Sequence, residues 1–350
     1  MQAFVLDPAA LSGNGDIAGA IIAEEVRANG KRLFHKGDII TIDNLASLEL
    51  VDRPIHAIRL QADDIHEDEA GSRLAAAVAG PGTTTKGPIQ SRVNIKAAHK
   101  GLLRIDVDVV IALNRLDDIA VFTLIDRLAV LPGKVLAGVK ITPVATSRST
   151  LEAAEAIARK TMVVQVKPFL PLKVGVVSTE GMNDKTRERF QETVRRKVGW
   201  YGGSVLGFSD LPNEAAPVAK AIEEYLEQGA ELIMTGGGNT IDPLDAALLA
   251  LPMIGGEIVK FGAPAHPGSM FWLAYRGDVP VFNLASCSMY SKATSADLIL
   301  PWIMAGERVS TDDVSGLGYG GLLDRDMQFR FPPYESGEAN DKGDEGDEEE

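Results

Sequence analysis

The part of the sequence best suited to chemistry is a glycine-rich turn that follows a short apolar run. Glu231-Leu-Ile-Met234 has the composition of a buried strand, and the residues after it are small and polar. Consecutive glycines let backbone N–H groups approach an anion closely, and the N-terminus of a following helix adds a favourable partial charge. A phosphate-bearing ligand is therefore predicted here, although a tight structural turn would use the same residues. The residues concerned are Thr235, Gly236, Gly237, Gly238, Asn239 and Thr240.

Two carboxylates come directly after this turn. Asp242 and Asp245 could hold a divalent cation that bridges to the phosphates of a ligand, because Mg²⁺ is bound through one or two carboxylates together with phosphate oxygens. Asp245 is the better candidate for a metal ligand and for a catalytic residue. Aspartates also cap helices, so the sequence is compatible with either a metal-binding or a capping role for these two residues.

Two further loops follow apolar runs and are predicted to reach the same edge of a sheet. One contains Pro267, Gly268 and Ser269, and the other contains Ser286, Ser288 and Lys292. The hydroxyl and ammonium groups could donate to an anion or to a polar ring. Alone, each of these residues would suit a turn, and Cys287 is interpreted as an inert thiol because no neighbouring base can be assigned from sequence.

The elements that must position these loops begin at Lys173. Strand-like Val174-Gly-Val-Val177 precedes a helix with Phe190, Val194 and Val198 at a spacing of four, and a second helix runs from a predicted cap at Asn213 to Gly229. Leu244–Leu251 is predicted as a helix, and Glu257–Phe261 and Val279–Leu284 as strands. Strands alternating with helices predict a three-layer α/β fold, with a mostly parallel sheet and helices on both faces, over 171–312.

The first half of the chain is less regular and predicts an α+β accessory region over 1–170, with a further break near 60. Asp68–Val78 has a helical composition, a short helix is predicted over Ile42–Leu50, and Gly80–Pro88 is predicted to be a loop. Residues 313–334 are interpreted as a C-terminal extension. The last sixteen residues, 335–350, hold nine carboxylates and one lysine, so they carry −8 of the net charge of −14 and predict a disordered acidic tail.

Composition excludes several classes of function. The chain is 350 residues long and 45% hydrophobic, which is enough for one large core or two ordinary ones. One cysteine, no signal-peptide pattern and no long apolar window predict a cytoplasmic protein that does not enter membranes. The excess of acidic residues gives no support to nucleic-acid binding.

The ordered set of motifs resembles the molybdopterin-binding domain shared by molybdopterin adenylyltransferases, molybdopterin molybdotransferases and gephyrin. Thr235-Gly236-Gly237 is similar to the family's Thr-Gly-Gly, Ile241–Asp245 to its Asp-ended ligand loop, and Pro267-Gly268 to its Pro-Gly turn. The whole chain resembles a bacterial group of molybdopterin-binding proteins through His66–Ala70, Gly101–Arg104 and the Gly318-Tyr-Gly-Gly-Leu-Leu323 segment. The resemblance implies molybdopterin or molybdenum cofactor as ligand, Mg²⁺ as a candidate metal, and a homo-oligomer.

One departure from that family bears on activity. The molybdotransferase loop Leu-Pro-Gly-Asn-Pro reads Leu284-Ala-Ser-Cys-Ser288 here and has lost both prolines, the glycine and the asparagine. Three functions follow as hypotheses. The leading one is a binding or delivery protein for the cofactor. The second is a Mg²⁺-dependent nucleotidyl- or molybdate-transferase acting on molybdopterin, and the third is a regulatory partner of a cytidylyltransferase or a molybdoenzyme.

Overall fold

The computed structural model describes residues 1–10, 17–237, 242–284 and 294–334. Gly238, Asn239, Thr240, Ser286, Ser288, Lys292 and the acidic tail lie outside the described residues. The chain divides into two compact units. The first comprises Met1–His99, Leu103–Asp126 and Pro132–Val166, and the second comprises Lys100–Leu102, Arg127–Leu131 and Lys167–Glu350.

The first unit is built from small antiparallel sheets and helices, as an α+β region requires. Its largest sheet has the strand order β10-β12-β8-β7, and a three-stranded sheet has the order β1-β5-β2. The strands before residue 170 are β1 Gln2–Leu6, β2 Ile21–Ile22, β3 Val26–Ala28, β4 Lys31–Phe34, β5 Ile55–Arg59, β6 Asp64–His66, β7 Thr83–Ile89, β8 Arg92–Ala97, β9 Gly101–Ile105, β10 Ile119–Thr123, β11 Ala129–Val130, β12 Val135–Ile141, β13 Ala145–Ser147 and β14 Val164–Pro168. The helices are α1 Glu67–Val78, α2 Val107–Leu113 and α3 Arg148–Ala158.

Two sequence predictions in this half are corrected. The loop predicted over Gly80–Pro88 is wrong, because Thr83–Ile89 forms the strand β7, which pairs with β8 in antiparallel register. All but the first of its residues are exposed, so no alternation of apolar and polar side chains could mark the strand. The helix predicted over Ile42–Leu50 is a shorter 3₁₀ helix, Leu45–Leu50. The helix predicted over Asp68–Val78 is confirmed as α1.

The second unit contains the predicted α/β fold. Its sheet has six strands in the order β16-β15-β17-β20-β19-β18. The strands are β15 Lys173–Ser178, β16 Ser204–Asp210, β17 Leu232–Gly236, β18 Glu257–Phe261, β19 Trp272–Arg276 and β20 Val279–Leu284. The pairs β16/β15, β15/β17 and β17/β20 are parallel, whereas β19 is antiparallel to both β20 and β18. The mostly parallel sheet is therefore confirmed, and β19 is the strand that the sequence reading missed.

Helices cover both faces of this sheet. They are α4 Asp184–Trp200, α5 Ala215–Glu227, α6 Ala246–Met253, α7 Ser295–Met304 and α8 Thr311–Gly316. Side chains of β17 alternate between two cores: Leu232 and Met234 pack with α4 and α7, and Ile233 packs with α5 and α6. Burial on both faces explains why these strands read as continuous apolar runs.

Candidate functional site

The strands that precede three of the predicted ligand segments end at one edge of the six-stranded sheet. β15, β17 and β20 are mutually parallel, so their carboxyl ends at Ser178, Gly236 and Leu284 lie at the same edge. β18 is related to β20 by two antiparallel steps and therefore also ends at this edge. Open α/β sheets bind ligands outside the carboxyl ends of their strands. Because two strands separate β17 from β18, their ends lie about 14 Å apart.

The Thr-Gly-Gly segment forms the end of β17 and the turn after it. Thr235 is buried, and its hydroxyl donates to the carbonyl of Phe282 at 3.5 Å. Gly237 has φ +98°, and a Cβ atom at this position would overlap the Cγ of Glu180. A glycine is therefore required twice over, by the backbone conformation and by the side chain that packs against it. Glu180 also brings a carboxylate next to the proposed anion-binding turn.

Asp245 is the N-cap of α6 and is almost fully buried, with 3% of its surface exposed. Its Oδ1 accepts from the N–H of Ala247 at 3.0 Å, but no described residue offers a hydrogen-bond partner to its buried Oδ2. Burial raises the pKa of the Asp245 carboxyl. The N–H groups of Ala247 and Leu248 oppose this shift, and the Asp242 and Glu180 carboxylates add to it. An orphaned oxygen on a buried carboxyl is costly and needs a ligand, a cation or a proton.

Asp242 differs from Asp245 in its environment. It is exposed, its Oδ1 accepts from the N–H of Leu244 at 2.9 Å, and its main-chain oxygen accepts from the N–H of Asp245 at 3.0 Å. Asn213 also belongs to this region and corrects the sequence reading. Its Oδ1 accepts from the N–H of Ala246 at 3.0 Å, so it supports the start of α6, whereas the N-cap of α5 is Glu214.

The donor set at Asp245 fits Mg²⁺ only in part. Carboxylate oxygens are the ligands that Mg²⁺ prefers. The Oδ2 of Asp245, which no described residue hydrogen-bonds, could supply one such ligand. The described residues contain no group of three or more His, Cys, Asp or Glu side chains placed to hold a metal ion. A Mg²⁺ ion here would be held by Asp245 and by phosphate oxygens of a ligand, and it would supply charge stabilisation.

The Pro267-Gly268-Ser269 segment lies in the loop between β18 and β19 and is fixed to the start of α7. The Ser295 hydroxyl donates to the Gly268 carbonyl at 2.6 Å, and the Ser295 N–H donates to the Pro267 carbonyl at 3.1 Å. Gly268 has φ +110°, and a Cβ atom there would overlap the Ser295 hydroxyl. Ser269 is exposed, and its carbonyl accepts from the N–H of Ala263 at 3.0 Å.

The C-terminal extension contacts this loop, which the sequence reading did not anticipate. The N–H of His266 donates to the Gly321 carbonyl at 2.8 Å, and the N–H of Leu323 donates to the His266 carbonyl at 2.8 Å. Gly321 must be a glycine, because a Cβ atom would overlap the Pro264 carbonyl. The glycines of Gly318-Tyr-Gly-Gly321 were the available sequence signal, since clustered glycines mark close backbone approach.

The fold and this edge define an α/β protein with a mostly parallel sheet and helices on both faces. No protein-family model matches the chain, and a search of the curated proteins finds no match. Among the helices of the described residues, none is both long and apolar enough to cross a bilayer.

Solved structures give partial similarities. The tungsten cofactor synthesizing protein MoaB from Pyrococcus furiosus is 17% identical, with 38% of this chain and 92% of that one covered and a TM-score of 0.30. The molybdopterin biosynthesis MoeA protein from Pyrococcus horikosii is 13% identical over 69% of this chain and 79% of that one, with a TM-score of 0.29. A molybdopterin biosynthesis protein from Mycobacterium abscessus is 16% identical over 39% of this chain and 96% of that one, with a TM-score of 0.31. Scores and identities this low carry no argument about the function of this chain.

Proposed function

We propose that this protein binds molybdopterin or molybdenum cofactor at the carboxyl edge of its six-stranded sheet, in the biosynthesis, maturation or delivery of the cofactor. The observation that carries the proposal is the orphaned, buried Oδ2 of Asp245, which shares the neighbour Glu180 with Gly237 at the end of β17. The order of motifs along the chain supports it, since the Thr-Gly-Gly and Pro-Gly segments resemble one family and both reach this edge.

A binding role requires no turnover. Gly237 at the end of β17 has a positive φ and packs against Glu180, and the loop between β18 and β19 is held by backbone hydrogen bonds and by the conformation of Gly268. A preorganised edge of this kind captures a ligand without a large ordering cost. Pterin recovered from native protein and identified by mass spectrometry tests the proposal directly. A preparation that carries no pterin and does not bind added molybdopterin would contradict it.

A matched pair of glycine variants tests the role of the turn. Gly237→Ala and Gly229→Ala both place a side chain at positive φ, +98° and +86° respectively, but only position 237 also has a neighbour in the way. Both should lose about 1 kcal/mol of stability from backbone strain, and Gly237→Ala somewhat more. Only Gly237→Ala should lower the affinity for molybdopterin, measured by titration. Equal affinities of the two variants for molybdopterin would show that the turn is not part of the binding site.

A second candidate function, transfer of a nucleotide or molybdate onto molybdopterin, is favoured by one observation. Asp245 presents a carboxylate oxygen that no described residue satisfies, as a metal ligand would before its ion is bound. The changed loop at Leu284–Ser288 weighs against this chemistry. Mg²⁺-dependent turnover of molybdopterin would decide in favour of the enzyme. A role as partner of a cytidylyltransferase stays a hypothesis that a binding assay with that enzyme would test.

A further inference from the structure

Arg330 is a half-buried arginine in the C-terminal extension, in the 3₁₀ helix Arg325–Arg330. Its guanidinium donates from Nη1 to the Gly320 carbonyl, and within the described part of the chain no carboxylate pairs with it. Burial lowers the pKa of Arg330, and no anionic group of the described residues offsets that effect. A guanidinium has five N–H donors, and one backbone carbonyl satisfies few of them.

The position of Arg330 ties it to the carboxyl edge of the sheet. Its partner Gly320 precedes Gly321, whose carbonyl accepts from the N–H of His266 in the loop that contains Pro267 and Gly268. The next hydrogen bond, from Leu323 to His266, fixes the same segment from the other side. Arg330 therefore contacts the segment that is hydrogen-bonded to His266, the residue before Pro267, at the β18 end of the edge.

Charge distinguishes the two ends of this edge. At the β17 end, the carboxylates Glu180, Asp242 and Asp245 lie around the turn. A phosphate dianion placed there meets like charges unless a cation bridges them. At the β18 end, Arg330 presents a partly desolvated positive charge that lacks a carboxylate among the described residues. A guanidinium in this state binds phosphate with strong, charge-assisted hydrogen bonds.

We infer that Arg330, held in place by the Gly320 carbonyl, forms a phosphate-monoester subsite at the β18 end of the carboxyl edge. The assignment of that phosphate to a pterin ligand rests on the proposed function. It places the terminal phosphate of the ligand near Arg330 and leaves the β17 end for the uncharged, hydrogen-bonding parts of the molecule. This position differs from the one predicted from the glycines after Thr235, which stays a prediction.

Titrations with inorganic phosphate and with molybdopterin test the subsite in the full-length protein. Arg330→Gln keeps a donor for the Gly320 carbonyl but removes the charge, so it should weaken both ligands about tenfold to a hundredfold. Arg330→Lys keeps the charge but loses the planar set of guanidinium donors, so its affinity for both ligands should lie between that of Arg330→Gln and that of wild type. Arg325→Gln is the matched control, because Arg325 is an exposed arginine of the same 3₁₀ helix, and it should bind as wild type does.

The outcomes separate this inference from the proposed function. Wild-type protein that binds molybdopterin while Arg330→Gln binds it equally well overturns the subsite and leaves the proposed function standing. Phosphate binding that depends on Arg330, with no binding of molybdopterin, supports the subsite and contradicts the proposed function. Equal losses of affinity in Arg330→Gln and Arg330→Lys, with lowered unfolding temperatures in both, would show that the arginine only supports the turn and would also overturn the inference.

Discussion

The Nζ of Lys197 lies 2.7 Å from the Oδ1 of Asp297 in the core of the second unit, and both side chains are almost completely buried. Asp297 also accepts from the Tyr334 hydroxyl at 3.1 Å, and from the N–H and hydroxyl of Thr294 at 3.2 and 3.1 Å. The pair joins α4 to the first turn of α7, which in turn holds the Gly268 carbonyl. A buried charge is tolerated here because every partner is in place.

Removing one partner of this pair should be strongly destabilising. Lys197→Met leaves the Asp297 carboxylate buried without its cation and should cost about 3 to 5 kcal/mol in the free energy of unfolding, measured by urea denaturation. The double variant Lys197→Met/Asp297→Asn should recover part of that loss. Arg196→Met, at an exposed neighbouring position of α4, is the control and should change stability by less than about 0.5 kcal/mol. Equal effects at 196 and 197 would contradict the buried ion pair.

The C-terminal residues should divide sharply in their effect on stability. Deleting 336–350 should leave both the unfolding temperature and molybdopterin affinity unchanged, because a polyanionic tail contributes little to a packed core. Tyr334→Phe should lower stability by about 1 kcal/mol, because the Tyr334 hydroxyl bonds to Asp297 and to the Tyr201 hydroxyl at 3.0 Å. A large loss on deleting the tail would show that it docks.

Asp245→Asn separates an enzyme from a binding protein. If the protein transfers a group with the help of Mg²⁺, the substitution should lower turnover by roughly a hundredfold or more, since a positioned metal supplies several kcal/mol of charge stabilisation. Binding of molybdopterin should change far less. Glu227→Gln, at an exposed carboxylate in the last turn of α5, is the control and should leave turnover unchanged. Wild-type turnover that survives Asp245→Asn would exclude Asp245 as the metal ligand of the transfer step.

Glu155 in α3 should stabilise the first unit only above its own titration range. Its hydrogen bond with Arg73, 2.9 Å between Oε1 and Nε, lowers the pKa of Glu155 below the ordinary value of 4.5. A depressed pKa means that the stabilisation is complete above 4.5 and is lost as the pH falls through the folded-state pKa. Glu155→Gln should therefore lower stability at pH 7 by up to about 1 kcal/mol, since Arg73 is partly exposed. Urea denaturation at pH 7 should show this difference, and measurements at decreasing acid pH should show it shrinking.

Glu67 in α1 should behave in the opposite way. Burial raises the pKa of Glu67 above 4.5, although the Ser91 hydroxyl and Lys36 oppose the shift. A raised pKa gives stability that is present below 4.5 and is lost as the pH rises through the folded-state pKa. Glu67→Gln should accordingly stabilise the protein at pH 7 and match wild type at acid pH. A variant that is less stable than wild type at pH 7 would show that the charged form of Glu67 is required.

Local patterns were enough to predict the fold class of the second unit. Apolar runs predict buried strands such as β17. The helix α5 is predicted by Val218, Ile222 and Tyr225, which lie on one face before Gly229. β19 was missed although Trp272-Leu-Ala-Tyr275 is apolar and is followed by Gly277-Asp278, a turn signal. Helix caps were less secure, because Asn213 is a suitable cap by composition but bonds to a helix 33 residues further on.

Residue types and order along the chain determined by themselves that small, glycine-rich turns follow parallel strands, and that carboxylates come next to one of them. Only the tertiary structure decided what surrounds each group. It left the Oδ2 of Asp245 buried without a described partner, packed Glu180 against Gly237, and placed the Arg330 guanidinium on the Gly320 carbonyl. Periodicity and turn composition act over a few residues, whereas burial, charge environment and hydrogen-bond satisfaction arise between segments that approach only when the sheet and its helices have packed.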